Sequence, residues 1–261
     1  MTIGFFDSGV GGMTVLYDAL QQNPHAHYIY YADTDNVPYG TKSKKEIKKL
    51  VNDAIKFLAT KKIDILVIAC NTATSICVKD LRETYSFPIV GMEPAVKPAI
   101  ELSDKGKDKK ILVCATKQTL KQKKLKDLIQ DLGASEKITR LSLQKLVMYA
   151  EDGKISSKKV KKYLSKKLDG INWKNYKAIV LGCTHFLFYK NIIKEHIPSH
   201  VQIIDGNQGT VNRMLHFINT SETKIATSQK LTFYKSKKKT STKSLEKYMA
   251  EYGREKLDFN A

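Results

Sequence analysis

The sequence predicts an α/β fold of two similar domains, each built on a mainly parallel sheet, with the active site in the cleft between them. Three observations carry that prediction. Apolar runs alternate with amphipathic stretches from end to end, proline- and glycine-marked crossings interrupt the alternation, and one strand–thiol–helix device occurs twice. Strands that alternate with helical patterns form βαβ units, whose crossovers make neighbouring strands parallel.

In the first series the strand-like runs are Thr2–Phe6, Tyr28–Tyr31, Ile63–Ala69 and Pro88–Val90, separated by helical patterns around Thr14–Gln22, Lys44–Thr60 and Thr72–Tyr85. The alternation starts again with Lys110–Cys114, a helix near Gln118–Asp131, Ile138–Leu141, helices around Leu143–Glu151 and Ser157–Leu168, then Lys177–Leu181 and Gln202–Ile204. Pro94, Pro98 and the polar stretch Ser103–Lys109 mark a first crossing, and Asp205-Gly206-Asn207 marks a return. The last strand and helix, Lys230–Tyr234 and Thr242–Tyr252, rejoin the first domain, which gives domains of 1–97 plus 207–261 and of 98–206.

A chain of 261 residues is long enough to bury a substantial core. No charged-then-apolar segment precedes the first strand and no apolar stretch reaches bilayer length, so a soluble, cytoplasmic protein is expected. Four cysteines without close-spaced pairs argue against a disulfide framework and a structural zinc site. The formal charge of +19 raises the question of nucleic acid, but the basic residues are nearly all lysine, spread along segments such as Ser43–Lys49 and Lys121–Lys126. The only arginines are Arg82, Arg140, Arg213 and Arg254. A nucleic-acid reader concentrates arginine and aromatics on one face, so dispersed lysine reads as a solvated surface, with Lys235–Lys239 as the dense run suited to weak polyanion contact.

The repeated device reads Ile65-Leu66-Val67-Ile68-Ala69-Cys70-Asn71-Thr72 and Ala178-Ile179-Val180-Leu181-Gly182-Cys183-Thr184-His185. Each is a buried strand, a thiol at its carboxyl end, then polar residues that start a helix. A free thiol titrates near ~8.5, and the unpaired N–H groups of a helix N-terminus favour its thiolate, so both cysteines are expected to exchange protons readily. Cys114 also ends an apolar run and Cys77 lies inside the helix after Cys70, but neither is followed by the polar pair, and both are assigned to packing. The carboxyl edge of a parallel sheet is where open α/β folds bind small ligands, which lets both thiols face one cleft.

The N-terminal Gly4-Phe5-Phe6-Asp7-Ser8-Gly9-Val10-Gly11-Gly12 lacks both the dinucleotide fingerprint and the lysine of a P-loop. A carboxylate at this strand end suits a base, or a partner for a ligand ammonium. Tyr31-Ala32-Asp33-Thr34-Asp35-Asn36-Val37-Pro38-Tyr39-Gly40 reads as a polar loop whose backbone N–H groups can line a pocket.

Together, Phe6-Asp7-Ser8-Gly9-Val10-Gly11-Gly12, Pro38-Tyr39-Gly40, Ala69-Cys70-Asn71-Thr72-Ala73, Gly91-Met92-Glu93-Pro94 and Leu181-Gly182-Cys183-Thr184-His185-Phe186 closely resemble the glutamate racemase family of the cofactor-independent aspartate/glutamate racemase superfamily. The segments fall in the family's order over about the first three-quarters of the chain. Leu231-Thr232-Phe233-Tyr234 resembles the family's last strand; after it Lys235-Ser236-Lys237 replaces a polar, acidic-containing turn, a departure expected to affect local surface alone.

The resemblance implies interconversion of L- and D-glutamate without metal, nucleotide or other cofactor, one cysteine serving each face of the α-carbon. It implies that Cys70 deprotonates D-glutamate with help from Asp7, and that Cys183 deprotonates L-glutamate with help from His185 and Glu151. The substrate's two carboxylates and ammonium are then held by Asp7, Ser8, Tyr39, the Gly40 backbone, Asn71, Thr72, Thr116, Thr184 and His185. The family also implies a supply of D-glutamate for peptidoglycan and a homodimer, while the apolar lengths and dispersed lysines above imply no membrane and no specific nucleic-acid partner. Two readings stay open beside it. One is an aspartate racemase or related two-cysteine isomerase, because one methylene is worth only ~1–3 kcal/mol of discrimination. The other is a basic nucleic-acid-binding protein without enzymatic activity.

Overall fold

The computed structural model describes residues 1–103, 109–221, 228 and 230–260, with only the backbone at 103 and 255–260. Residues 104–108, part of the polar stretch read as a crossing, lie outside the described residues.

The first series runs β1 (Thr2–Asp7), α1 (Met13–Gln22), β2 (His27–Ala32), α2 (Lys44–Ala59), β3 (Ile65–Ile68), α3 (Asn71–Thr84) and β4 (Ile89–Gly91). The second runs α4 (Val96–Ser103), β5 (Lys110–Ala115), α5 (Lys117–Lys121), α6 (Lys123–Asp131), β6 (Ile138–Ser142), α7 (Lys145–Glu151), α8 (Lys158–Leu168), β7 (Tyr176–Gly182), α9 (Lys190–Lys194) and β8 (Gln202–Asp205). The chain closes with α10 (Asn207–Asn219), β9 (Lys230–Lys235), β10 (Lys238–Thr240) and α11 (Lys243–Asn260).

These strands form a six-stranded sheet in the order β10-β9-β2-β1-β3-β4 and a four-stranded sheet in the order β6-β5-β7-β8. All the pairings are parallel except that of β9 with β10, a hairpin absent from the sequence reading. The fold is therefore two α/β units with mainly parallel sheets. β1 lies inside the first sheet and β7 inside the second, so Asp7 and Cys183, at or just beyond their carboxyl ends, issue from fully paired backbone. α4 packs on β5 and β7, and α10 returns to α1, β3 and β4.

Core composition follows the layers. Ile47, Val51, Ile55 and Leu58 of α2 form one apolar stripe against Phe6, Leu66 and Ile68 on one face of the first sheet. Val96, Ala99 and Ile100 of α4 and Leu125 and Ile129 of α6 cover Ile111, Val113, Ala178 and Val180 of the second. α11 bridges the units: it packs on α1, on α9 and on the segment after Cys183, with Tyr252 edge-on to both Tyr17 and Phe188.

Two local expectations are corrected. The helix read near Gln118–Asp131 is broken at Gln122, whose extended backbone ends α5 and begins α6. The segment after Cys183 is a 3-10 helix over Thr184–Tyr189 rather than an α-helix. All six of its residues are buried, so it has no solvent face to impose the 3.6-residue period.

Candidate active site

Cys70 and Cys183 leave different sheets and meet at one buried site. Each is 6% exposed, and Asp7, Ser8, Tyr39, Asn71, Thr72, Thr116, Thr184 and His185 are all 4% exposed or less. Each cysteine lies close enough to the other's surroundings for charge on Cys183 to raise the Cys70 thiol.

On the first side Cys70 is the N-cap of α3. Its Sγ accepts from the Ala73 N–H at 3.5 Å and donates to Ser8 Oγ at 3.5 Å. The Ala73 N–H, and the Ser8 hydroxyl when it turns to donate to the sulfur, favour a thiolate, but burial and then the carboxylate of Asp7 outweigh them, and the Cys70 thiol is pushed up to about 12. That corrects the expectation of a readily ionised thiol at this helix start. Cys77 and Cys114 are likewise buried and pushed up, to about 12 and above. Asp7 itself is raised to about 6, mainly by burial and in part by Glu151, against the lowering effects of His185 and the Gly9 and Gly12 N–H groups. Its Oδ1 accepts from the Gly9 N–H at 2.8 Å and its Oδ2 from Thr184 Oγ1 at 3.4 Å.

On the second side Cys183 Sγ lies 3.8 Å from His185 Nδ1, and His185 Nε2 lies 2.6 Å from Glu151 Oε1. Burial alone would depress His185, yet Cys183 and Glu151 together hold it well above its ordinary value. The imidazolium can then donate from Nε2 to the carboxylate and from Nδ1 toward the sulfur. Glu151 is fixed from two directions: Oε1 also accepts from the Val10 N–H at 2.8 Å, and Tyr248 Oη of α11 donates to the Ala150 carbonyl at 3.1 Å.

The glycine-rich turn explains how two units approach so closely. A Cβ on Gly9 would overlap the Glu151 carboxylate, and one on Gly11 would overlap His185 Nδ1 and Thr184 Oγ1. The missing side chains thus admit the acid/base group of the opposite unit, not a phosphate. Gly40 repeats the pattern: a Cβ there would meet the Gln144 side chain and lie 2.7 Å from Thr116 Cβ.

The expected anchoring residues come together from both sheets. Thr116 caps α5 by accepting from the Thr119 N–H at 3.2 Å, and its Oγ1 also lies 2.9 Å from Thr72 Oγ1. Thr119 completes a hydroxyl triangle, 3.1 Å from Thr72 and 3.0 Å from Thr116. Asn71 donates to the Met92 carbonyl at 3.3 Å, which ties the start of α3 to the end of β4. Thr119, Asp33 and Gln144 were not picked out in the sequence. The Thr116-to-Thr119 spacing of an N-cap and its third helical residue was the available signal for the first; Asp33 has local partners in Asn36 and Tyr39, but its ties to Asp7 and Ser236, like those of Gln144 to Lys117, leave no local trace. Among the described residues, no group of three or more His, Cys, Asp or Glu side chains is arranged to hold a metal ion, and no helix is long and apolar enough to cross a membrane.

Residues 8–214 match the Asp/Glu/hydantoin racemase family. A glutamate racemase of Halothermothrix orenii is 48% identical over 251 residues, covering 95% of this chain and 98% of its own. The crystal structure of glutamate racemase from Campylobacter jejuni subsp. jejuni superposes with a TM-score of 0.78 at 29% identity, over 95% of this chain and 96% of that one. That of Escherichia coli glutamate racemase in complex with L-glutamate and the activator UDP-MurNAc-Ala superposes with a TM-score of 0.81 at 25% identity, over 95% of this chain and 94% of that one.

Proposed function

The chain belongs to the Asp/Glu/hydantoin racemase family, and we propose that it is an amino-acid racemase interconverting L- and D-glutamate by proton transfer between two cysteines. The observation that carries this reading is the convergence of Cys70 and Cys183 from different sheets on one buried site, each with its own acid/base neighbour.

In the L-to-D direction Cys183, beside His185, removes the α-proton, and Cys70 delivers a proton from the opposite face. A thiol raised to about 12 is protonated at neutral pH, as a donor must be. In the reverse direction Cys70 gives up its proton first. Asp7 is the adjacent base for that step, and the substrate ammonium beside Asp7 offsets the negative charge that raises the thiol. Ser8, Tyr39, the Gly40 backbone, Asn71, Thr72, Thr116, Thr184 and His185 supply donors for the two carboxylates. No added cofactor enters this scheme. The same reading assigns the enzyme to the cytoplasm, as a homodimer supplying D-glutamate for peptidoglycan, with no specific nucleic-acid role for its lysines and with domains of 1–97 plus 207–261 and 98–206.

The test is a circular-dichroism assay with both enantiomers of glutamate and of aspartate. Glutamate should lose its signal from either side, and Cys70→Ser should abolish the change. Faster turnover of aspartate would replace the substrate, and turnover surviving in Cys70→Ser would remove the two-thiol mechanism.

A further inference from the structure

We infer that Ser236, in the two-residue turn between β9 and β10, is a positioning residue for the substrate loop Pro38-Tyr39-Gly40. The inference rests on the reading above that this loop binds glutamate. The turn was expected to affect local surface alone, and its contacts say otherwise.

Ser236 and Lys237 have φ of +42° and +73°. Two successive left-handed residues are the geometry of a primed hairpin turn, normally filled by glycine or asparagine; a serine and a lysine there are strained. The strain is accompanied by two side-chain contacts that a glycine could not make, beside a backbone contact that it could. Ser236 Oγ donates to Asp33 Oδ1 at 3.2 Å and accepts from the Asp35 N–H at 3.0 Å, while the Ser236 N–H donates to the Ala32 carbonyl at 2.9 Å. The turn therefore grips both sides of the residue where β2 ends and the loop begins.

Asp33 passes the constraint on. It is 3% exposed; its Oδ1 also accepts from Asn36 Nδ2 at 3.0 Å and its Oδ2 accepts from Tyr39 Oη at 2.6 Å. Its own N–H donates to the Asp7 carbonyl at 3.0 Å, so the same residue is locked to the strand that carries Asp7. Burial and Asp33 keep the Tyr39 hydroxyl protonated and donating. Tyr39 is 1% exposed and opens the 3-10 turn Tyr39–Thr41, in which Gly40 faces Thr116 and Gln144 of the other unit. The chain of contact runs from the Ser236 hydroxyl through the Asp33 carboxylate and the Tyr39 hydroxyl to the Gly40 backbone. Fixing Asp33 Oδ1 fixes the plane of the carboxylate, and hence where Oδ2 receives Tyr39.

Glycine at position 236 separates the hydrogen bonds from the strain. Ser236→Gly relieves the positive φ and deletes the hydroxyl, so its Tm should be no lower than that of the parent while its KM for glutamate rises roughly 5-fold with kcat little changed. Ser236→Ala should raise KM alike but with a lower Tm. Because both residues act through Asp33, the double variant Ser236→Gly/Tyr39→Phe should have a KM no higher than Tyr39→Phe alone. A KM unchanged in Ser236→Gly, or strictly multiplicative effects in the double variant, would overturn the inference. Gly40→Ala separates this outcome from failure of the underlying reading: if it and Tyr39→Phe leave KM unaltered, the loop does not bind glutamate and the inference falls with it. If they raise KM and Ser236→Gly does not, the inference alone is lost.

Discussion

The two thiol sites are built from the same strand-end geometry and finish in opposite electrostatic surroundings. Cys70 caps a full α-helix, yet its neighbours are a buried carboxylate and a serine, and its thiol is pushed up to about 12. Cys183 begins a buried 3-10 segment without capping it, and its neighbour is a histidine held above its ordinary value, against burial, by Cys183 itself and by Glu151. The contrast teaches that a helix N-terminus does not decide the state of a thiol once the site is dry. Partial charges on backbone N–H groups favour a thiolate by a modest amount, whereas burial and a full negative charge nearby work against it more strongly. In the proposed reaction the asymmetry is useful: one side keeps a proton to give while the other stands beside a cationic partner.

The largest effect should come from separating the two faces. Cys70→Ser and Cys183→Ser should each lower racemisation by at least about 1,000-fold. Elimination from a glutamate analogue with a β-leaving group needs one base only, so Cys70→Ser should retain it with the L-analogue and Cys183→Ser with the D-analogue. Equal loss of both eliminations in both folded variants would erase the comparison.

Next is thiol ionisation. With Cys70 at about 12, only about one molecule in 10,000 carries its thiolate at pH 8, so alkylation of Cys70 by iodoacetamide should be roughly 1,000-fold slower than that of an ordinary thiol, and should climb tenfold per pH step with no plateau up to pH 10. Mass-spectrometric mapping against pH measures it. A plateau near neutrality at Cys70 would mean that Asp7 and burial do not dominate there.

The smallest of the three is a stability difference confined to a pH window. Asp7 is raised from its unfolded 3.8 to about 6 in the folded chain. A raised carboxyl favours folding below its unfolded value, and that advantage is lost as pH rises through the folded value. Asp7→Asn removes the ionisation, so against the parent it should gain up to about 3 kcal/mol at pH 8 and nothing below about pH 4. Urea melts at pH 4 and pH 8 provide the check. A gain that is the same at both pH values would reflect packing and not charge.

The strands and both thiols were legible because their signals are local. Ile65–Ile68 and Ala178–Leu181 are unbroken apolar runs, and the polar pair after each cysteine marks where the strand stops. What was not legible is set by distance along the chain or by full burial. Thr184–Tyr189 shows no amphipathic period because every residue in it is inside. The 141-residue separation between Val10 and Glu151 leaves no local trace, so the role of the glycines of the first turn, which is to admit another unit, was not legible in the sequence. Ser236 was read as surface because 203 residues separate it from Asp33. The rise at Cys70 escaped for a related reason: sequence displays the helix start but not the depth of the site or the carboxylate beside it.

The hydroxyl triangle of Thr72, Thr116 and Thr119 belongs to a seam, together with Glu151 on Val10 and Thr184 on Asp7. On the proposed reading, substrate must reach groups buried behind this seam, and contacts across it then bear on access as well as on packing. A two-state opening would be biased by each contact across the seam, and with it the rates at which an amino acid enters and leaves. Removing one of these hydroxyls is expected to ease access while weakening the dry surroundings that the proposed proton transfer needs. If the proposed reaction is right, turnover is expected to depend on the contacts that join the units as well as on the thiols they enclose.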